Sequence, residues 1–199
     1  MVKNIYFFAL ALMRITISSS YGDSIVKNNN NEDIKLIKLT TNKGNIVIEL
    51  FEDKAPETVK NFINYTNNGS YNGTIFHRVI QNFMIQGGGL LPDMTQISSN
   101  APVVNEANND LSNKKGTIAM ARTSDPHSAT SQFFINLKDN DFLDKKNAPD
   151  GWGYCVFGEV TQGLDIVEAI GSVDTGNKAG HGDVPIETII IENVEVLDN

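Results

Sequence analysis

Arg78 is the residue in this sequence whose surroundings call for a chemical explanation. It stands in Phe76-His77-Arg78-Val79-Ile80, an apolar and β-branched run of strand type. A guanidinium in such a run is costly unless a groove solvates it or a partner neutralises it. A second apolar run, Phe83-Met84-Ile85-Gln86, follows an Asn-containing turn and ends in Gly87-Gly88-Gly89. Strand alternation puts Phe76, Arg78 and Ile80 on one face of the first run, and Met84 and Gln86 on one face of the second. Further along, Gln132-Phe133-Phe134-Ile135-Asn136 places Gln132, Phe134 and Asn136 on a shared face. An arginine, two glutamines and several aromatics therefore occupy neighbouring strand faces. Buried amides need partners, so Gln86 and Gln132 do not read as plain core.

Other chemistries find less support. His77, His127 and His181 are scattered and read as core or surface histidines, not as a zinc cluster. The glycine triplet lacks the Lys-Ser/Thr of a phosphate loop and the spacing of a dinucleotide fingerprint. It fits a close backbone approach or a bend between strands. Cys155 lies in an apolar strand, where an inert buried thiol is the default. No Gly-x-Ser-x-Gly elbow is present.

The elements that must position these residues are mostly short strands. The chain has 199 residues, 40% hydrophobic and 20% charged, enough for one domain with a real core. A net charge of −8 and no basic stripe argue against nucleic acid as a partner. The single cysteine excludes an intramolecular disulfide and does not report the compartment. Residues 34–39 and 45–51 read as a hairpin, and Pro56 opens a helix that ends at Asn68-Gly69. Residues 116–121, 132–136 and 154–160 read as strands, 164–170 as a helix, and 187–196 as a final β-rich run. Residues 91–106 and 123–131 read as loops. Many short strands with two helices imply a mainly β fold, a closed or nearly closed barrel with helices over its ends.

The same residues carry a family resemblance. Phe76 to Ile80 with Phe83 to Gly89 resembles the cyclophilin signature, Ser131 to Asn136 resembles its second hallmark, and Gly116 to Ala121 the strand before it. The resemblance spans residues 34–196, and the Asp139 to Gly153 insertion and Ala119 to Thr123 run are similar to the bacterial branch. It implies a closed eight-stranded antiparallel β-barrel capped by two α-helices over residues 34–199, acting as a peptidyl-prolyl cis-trans isomerase. It implies that Arg78 stabilises the transition state and that Gln86 and Gln132 hold Arg78 and the substrate backbone. Phe83, Met84, Phe134 and Leu143 would form the pocket for the proline ring, and Ala121 and Arg122 would offer backbone contacts. Partners would be proline-containing unfolded or flexible polypeptides, bound by a monomer. Bond rotation moves neither electrons nor a chemical group, so no cofactor and no metal are implied.

Two positions depart from the pattern of the best-known eukaryotic cyclophilins. Phe142 stands where those carry a tryptophan at the pocket rim, and Tyr154 where they carry a histidine. Trp152 lies in the insertion and does not replace the missing tryptophan. Losing an indole N–H removes a donor, so weak cyclosporin binding is expected with isomerase activity retained. A binding module or chaperone that uses the same groove is the alternative to a catalytic foldase. At the other end of the chain, Lys3, the apolar run Ile5 to Met13 and small residues near Ser20 and Gly22 give residues 1–22 the pattern of a secretory signal. Arg14 interrupts that pattern. Asparagine-rich residues 23–33 read as a flexible linker. A periplasmic or secreted protein is expected, or a cytoplasmic one if the segment is not a working signal.

Overall fold

Alternation in the first hairpin sets the inside and outside of the sheet. On β1 (Lys35–Thr41) the residues Ile37 and Leu39 are fully buried, and on β2 (Gly44–Leu50) so are Ile46 and Ile48. The two strands pair in register from Lys35–Leu50 to Thr41–Gly44. The computed structural model describes residues 35–197; the predicted signal segment (1–22) and linker (23–33) lie outside the described residues.

The remaining elements are α1 (Pro56–Asn67), β3 (Phe76–Ile80), β4 (Met84–Gly87), β5 (Thr117–Met120), β6 (Phe133–Asn136), β7 (Val156–Gln162), α2 (Leu164–Ile170), β8 (Thr175–Lys178), β9 (His181–Pro185) and β10 (Ile191–Leu197). A 3-10 turn, Asp141–Leu143, sits between β6 and β7. Eight strands form one antiparallel sheet in the order β10-β1-β2-β7-β5-β6-β4-β3, and β8 and β9 form a separate two-stranded sheet. The concave side encloses the core. Val59, Phe62 and Tyr65 of α1 and Val167 and Ile170 of α2 pack there with Ile37, Ile48, Phe133 and Phe157. Pro56 begins α1, where a missing N–H leaves no bond unmade.

The expected closed barrel needs correction. The sheet is strongly curled but open: β3 and β10, its two edges, share no ladder. An isolated Ile75–Ile190 bridge ties them, with Phe76 N donating to Ile189 O at 3.0 Å and Ile191 N to Thr74 O at 2.8 Å. Beyond that bridge β3 has β9 packed beside it instead of β10. The β8–β9 hairpin is also absent from the sequence expectation. All of Thr175–Lys178 and the first three residues of β9 are exposed or half-buried, so no apolar alternation marks them.

Candidate active site

Two faces of the same strands carry different residues. On β6, Phe133 and Ile135 belong to the interior core, while Phe134 belongs to a second apolar cluster with Met84, Leu143 and Val156. On β4, Ile85 points inward and Met84 outward. Phe83, Ala121 and Tyr154 pack on the margin of the outer cluster. Phe83 follows a tight turn in which Asn82 takes a left-handed φ of 57° and Phe83 N donates to Ile80 O at 3.0 Å.

Arg78 reaches this outer face by a route that simple alternation misses. The register shifts between Phe76 and Arg78: Phe76 opposes Gly87, and Arg78 opposes Gln86. The extra residue is His77, a β-bulge in effect. Phe76 therefore enters the core with no exposed surface, and Arg78 turns outward with its side chain 43% exposed. The expectation that Phe76 and Arg78 share a face is corrected accordingly.

A groove of about 700 Å³ collects Arg78, Phe83, Met84, Gln86, Ala121, Arg122, Gln132, Phe134, Leu143 and Tyr154. Phe142 does not line it; its half-exposed ring stacks on Phe83 at 5.8 Å, extending the rim. Gln86 Nε2 donates to Gln132 Oε1 at 2.9 Å. Here too an expectation changes, because the two amides bind each other and not Arg78. Gly89 explains why Gln132 sits so close, since a Cβ at that position would run into the Gln132 side chain. Gly88, with φ of +77°, turns the chain where a Cβ would strike the Phe133 ring. The glycine triplet thus serves close approach, as its composition suggested.

Behind the apolar pocket lies a polar layer, of which the sequence marked only Asn136. Asn136, Asn140 and Asn113 are fully buried. Asn140 Nδ2 donates to Phe83 O at 2.9 Å and to Asn136 Oδ1 at 2.8 Å, and Asn136 Nδ2 to Thr117 Oγ1 at 3.0 Å. Asn113 N and Nδ2 both donate to Asp144 Oδ1, at 2.7 and 3.1 Å. Leu143 N donates to Asn140 O at 2.8 Å, and Tyr154 N to Leu143 O at 2.9 Å. These bonds fix Phe83 and Leu143 from behind, so the pocket walls are held by backbone and amide contacts. The density of Asn and Asp in residues 136–144 was the available signal.

The second arginine of the groove is bound on every side. Arg122 Nε and Nη2 donate to Gly153 O at 3.1 and 3.0 Å, Nη1 donates to Thr123 O at 3.0 Å, and Nη2 pairs with Asp150. Its side chain is 4% exposed and its guanidinium lies 4.5 Å from the Tyr154 ring centre. Tyr154 meets Phe134 edge-on at 5.7 Å. Backbone N–H groups of Trp152, then Arg122, then the N–H of Gly153 hold the Asp150 carboxyl down at about 2. Arg122 is thus a brace for the 150–153 turn. Arg78 differs: among the described residues its side chain makes no hydrogen bond, and Asp183 Oδ2 lies 3.6 Å from its Nε.

His77 and the hairpin residues Gly180 to Asp183 also line the groove. Burial, then the nearby His181, push the His77 imidazole down to about 4, so it is neutral near pH 7. Cys155 is buried and its thiol is pushed up to about 11 by that burial, which matches an inert thiol. An uncommitted guanidinium beside an apolar notch can stabilise developing electron density on a bound group without forming a covalent bond.

Comparison with known proteins agrees with this geometry. The family model for cyclophilin-type peptidyl-prolyl cis-trans isomerases matches residues 36–196. Peptidyl-prolyl cis-trans isomerase B of Escherichia coli K12 is 58% identical over 164 residues, covering 82% of this chain and all of the relative (100%). Peptidyl-prolyl cis-trans isomerase cyp18 of Streptomyces antibioticus is 57% identical over 162 residues, 81% of this chain and 98% of the relative. A crystal structure of a Cryptosporidium parvum cyclophilin-type isomerase in the presence of the dipeptide Ala-Pro superposes with a TM-score of 0.68. It is 26% identical, covering 82% of this chain and 99% of that one. Sequence hallmarks, curled sheet and groove converge on one answer, and the chain belongs to the cyclophilin-type peptidyl-prolyl cis-trans isomerases.

Proposed function

We propose that catalysis rests on Arg78, which stabilises the twisted X-Pro bond while the Phe83, Met84, Phe134 and Leu143 pocket holds the proline ring. The peptide C–N bond resists rotation by about 18–20 kcal/mol because it has partial double-bond character. For X-Pro both isomers are populated, yet exchange takes tens of seconds or longer. At the twisted geometry conjugation is lost and the nitrogen regains a lone pair. A cationic donor near that nitrogen favours the twisted state over either planar state, which is what acceleration requires. Arginine suits the task because it stays charged and its fork is rigid.

The observation that carries this reading is the contrast between the two groove arginines: Arg122 has its donors spent on Gly153, Thr123 and Asp150, whereas Arg78 keeps its fork available. Gln86 and Gln132, joined at 2.9 Å, have remaining amide groups with which to meet the substrate backbone. Ala121 N donates to Gln132 O, so its carbonyl and the Arg122 backbone are the groups left there for the same purpose. A proline-peptide isomerisation assay comparing the parent with Arg78→Ala tests the assignment. Loss of rate with peptide binding retained supports it, and equal rates defeat it. Binding of proline segments with no rate enhancement in the parent would favour the holding function instead.

The clients we infer are unfolded or exported polypeptides, with export suggested by the signal-like residues 1–22. Mass spectrometry of the mature protein decides this: a product beginning near Asp23 supports export, and a retained Met1 opposes it. We expect a monomer, which sedimentation would contradict by showing a dimer at micromolar concentration. Weak cyclosporin binding follows from Phe142 and Tyr154, neither of which supplies an indole N–H.

A further inference from the structure

The β8–β9 hairpin has no part in the mechanism above, yet it forms the groove wall on the Arg78 side. Its attachment is firm. Val184 is buried against Ile75, Leu90 and Met94, and Lys178 Nζ donates to Pro92 O at 2.8 Å. Asp183, one residue before that anchor, has a φ of 59°. Few residues other than glycine adopt this left-handed backbone, although Asp and Asn tolerate it. Held there, its carboxylate lies 3.6 Å from Nε of Arg78, and it is the carboxylate within ion-pair distance of that guanidinium among the described residues. His77, on the bulge that turns Arg78 outward, lines the same groove, and its neutral ring adds no competing charge at pH 7.

We propose that Asp183 is a positioning residue for Arg78: it draws the Nε edge of the guanidinium toward the hairpin and leaves the two Nη groups facing the imide bond. This inference rests on the assignment of Arg78 as the transition-state donor. A guanidinium offers distinct edges in a fixed plane, so engaging one edge sets the direction of the others. At 43% and 48% side-chain exposure the attraction is that of a screened surface pair, which biases a rotamer several-fold but does not lock it. Such a bias acts mainly on turnover, because the substrate's ring and backbone are bound by other groups.

Steady-state kinetics on Asp183→Asn test this. Asn keeps the left-handed backbone and nearly the same shape while removing the charge. The expected result is a kcat lowered about two- to five-fold, the scale of an exposed ion pair, with KM within about twofold. The ratio of parent to variant should shrink toward one in about 1 M salt, where the screening length is short. In an Arg78→Lys background, which lacks the Nε edge, Asp183→Asn should cause no further loss. Asp183→Gly, which frees the backbone as well, should reproduce the Asn result. Unchanged or raised kcat in both Asp183 variants overturns the inference, as does an equal fold-loss in the Arg78→Lys background. Parental kcat in Arg78→Ala would instead overturn the Arg78 assignment and this inference together, which separates the two failures.

Discussion

The inner and outer faces of β6 each carry a phenylalanine, and the two do opposite work. Inside, Phe133 is fully buried and meets Phe62, Tyr71 and Phe76 at ring separations of 5.5, 5.7 and 6.0 Å. Outside, Phe134 has one edge-on aromatic partner, Tyr154, and lines an open groove beside Met84 and Leu143. Inner aromatics spend their surface on one another and stabilise the fold; the outer ones are held in place yet keep surface for a guest. Polar groups divide in the same way. Arg122 donates to Gly153, Thr123 and Asp150, and the amide nitrogens of the buried asparagines are bonded within the frame, whereas Arg78 faces the groove with one loose ion pair. The difference teaches that function here comes from contacts left unmade within a rigid frame.

Truncation on the two faces should break the comparison most visibly. Phe133→Ala is expected to destabilise the fold by about 3–5 kcal/mol, the usual cost of removing a packed core aromatic. Phe134→Ala should cost less stability and lower kcat/KM instead. Denaturant unfolding beside a proline-peptide assay measures both, and equal stability losses with no kinetic difference would contradict the division.

Acid should act next, through His77 on the bulge. Its imidazole titrates near 4 when folded, against an ordinary value of 6.5. Between those limits the unfolded chain holds a proton that the folded one lacks, so stability is fully present above pH 6.5 and falls as pH drops toward 4. The total is about 3 kcal/mol. His77→Gln should flatten that slope in pH-dependent unfolding; an unchanged slope would assign it elsewhere.

Arg122→Ala is expected to cost about 1–3 kcal/mol, since Gly153 O and Asp150 lose charged hydrogen-bond partners. Its effect on kcat/KM should follow from loosening of the 150–153 turn, and restoring that turn with a stabilising additive should recover much of it. The smallest effect is at the rim. Phe142→Trp adds an indole donor beside Phe83 and should tighten cyclosporin binding by about tenfold, the worth of one hydrogen bond, without altering the isomerisation rate. Calorimetric titration with the parent as reference measures it, and unchanged affinity would remove Phe142 as a determinant of the weak binding proposed above.

Much of this was legible in the chain. Period-two alternation in residues 34–50 and 132–136 gave the strands and their faces, and the helices begin at Pro56 and Leu164 as their spacing predicts. What failed did so for identifiable reasons. Alternation assumes an unbroken ladder, so it could not foresee that the bulge at His77 separates Phe76 from Arg78. The β8–β9 hairpin is exposed along most of its length and leaves no apolar pattern, although it carries Asp183 to the groove. Asn113 and Asn140 resemble loop residues in sequence, and Asn136 shows only its strand face, because burial, which makes their amides structural, is a tertiary property. Strand count alone suggested closure, and only the register of residues 74–76 against 189–191 shows a bridge where a ladder was expected.

The central claim is that Arg78 acts on the twisted bond and contributes little to holding the peptide. Exchange NMR on a bound Ala-Pro peptide measures the on-enzyme isomerisation rate and the Kd in one sample. For Arg78→Ala the account predicts an exchange rate lower by about 10²- to 10³-fold with Kd changed by less than about threefold. An unchanged exchange rate, or a rate loss explained wholly by weaker binding, would contradict it.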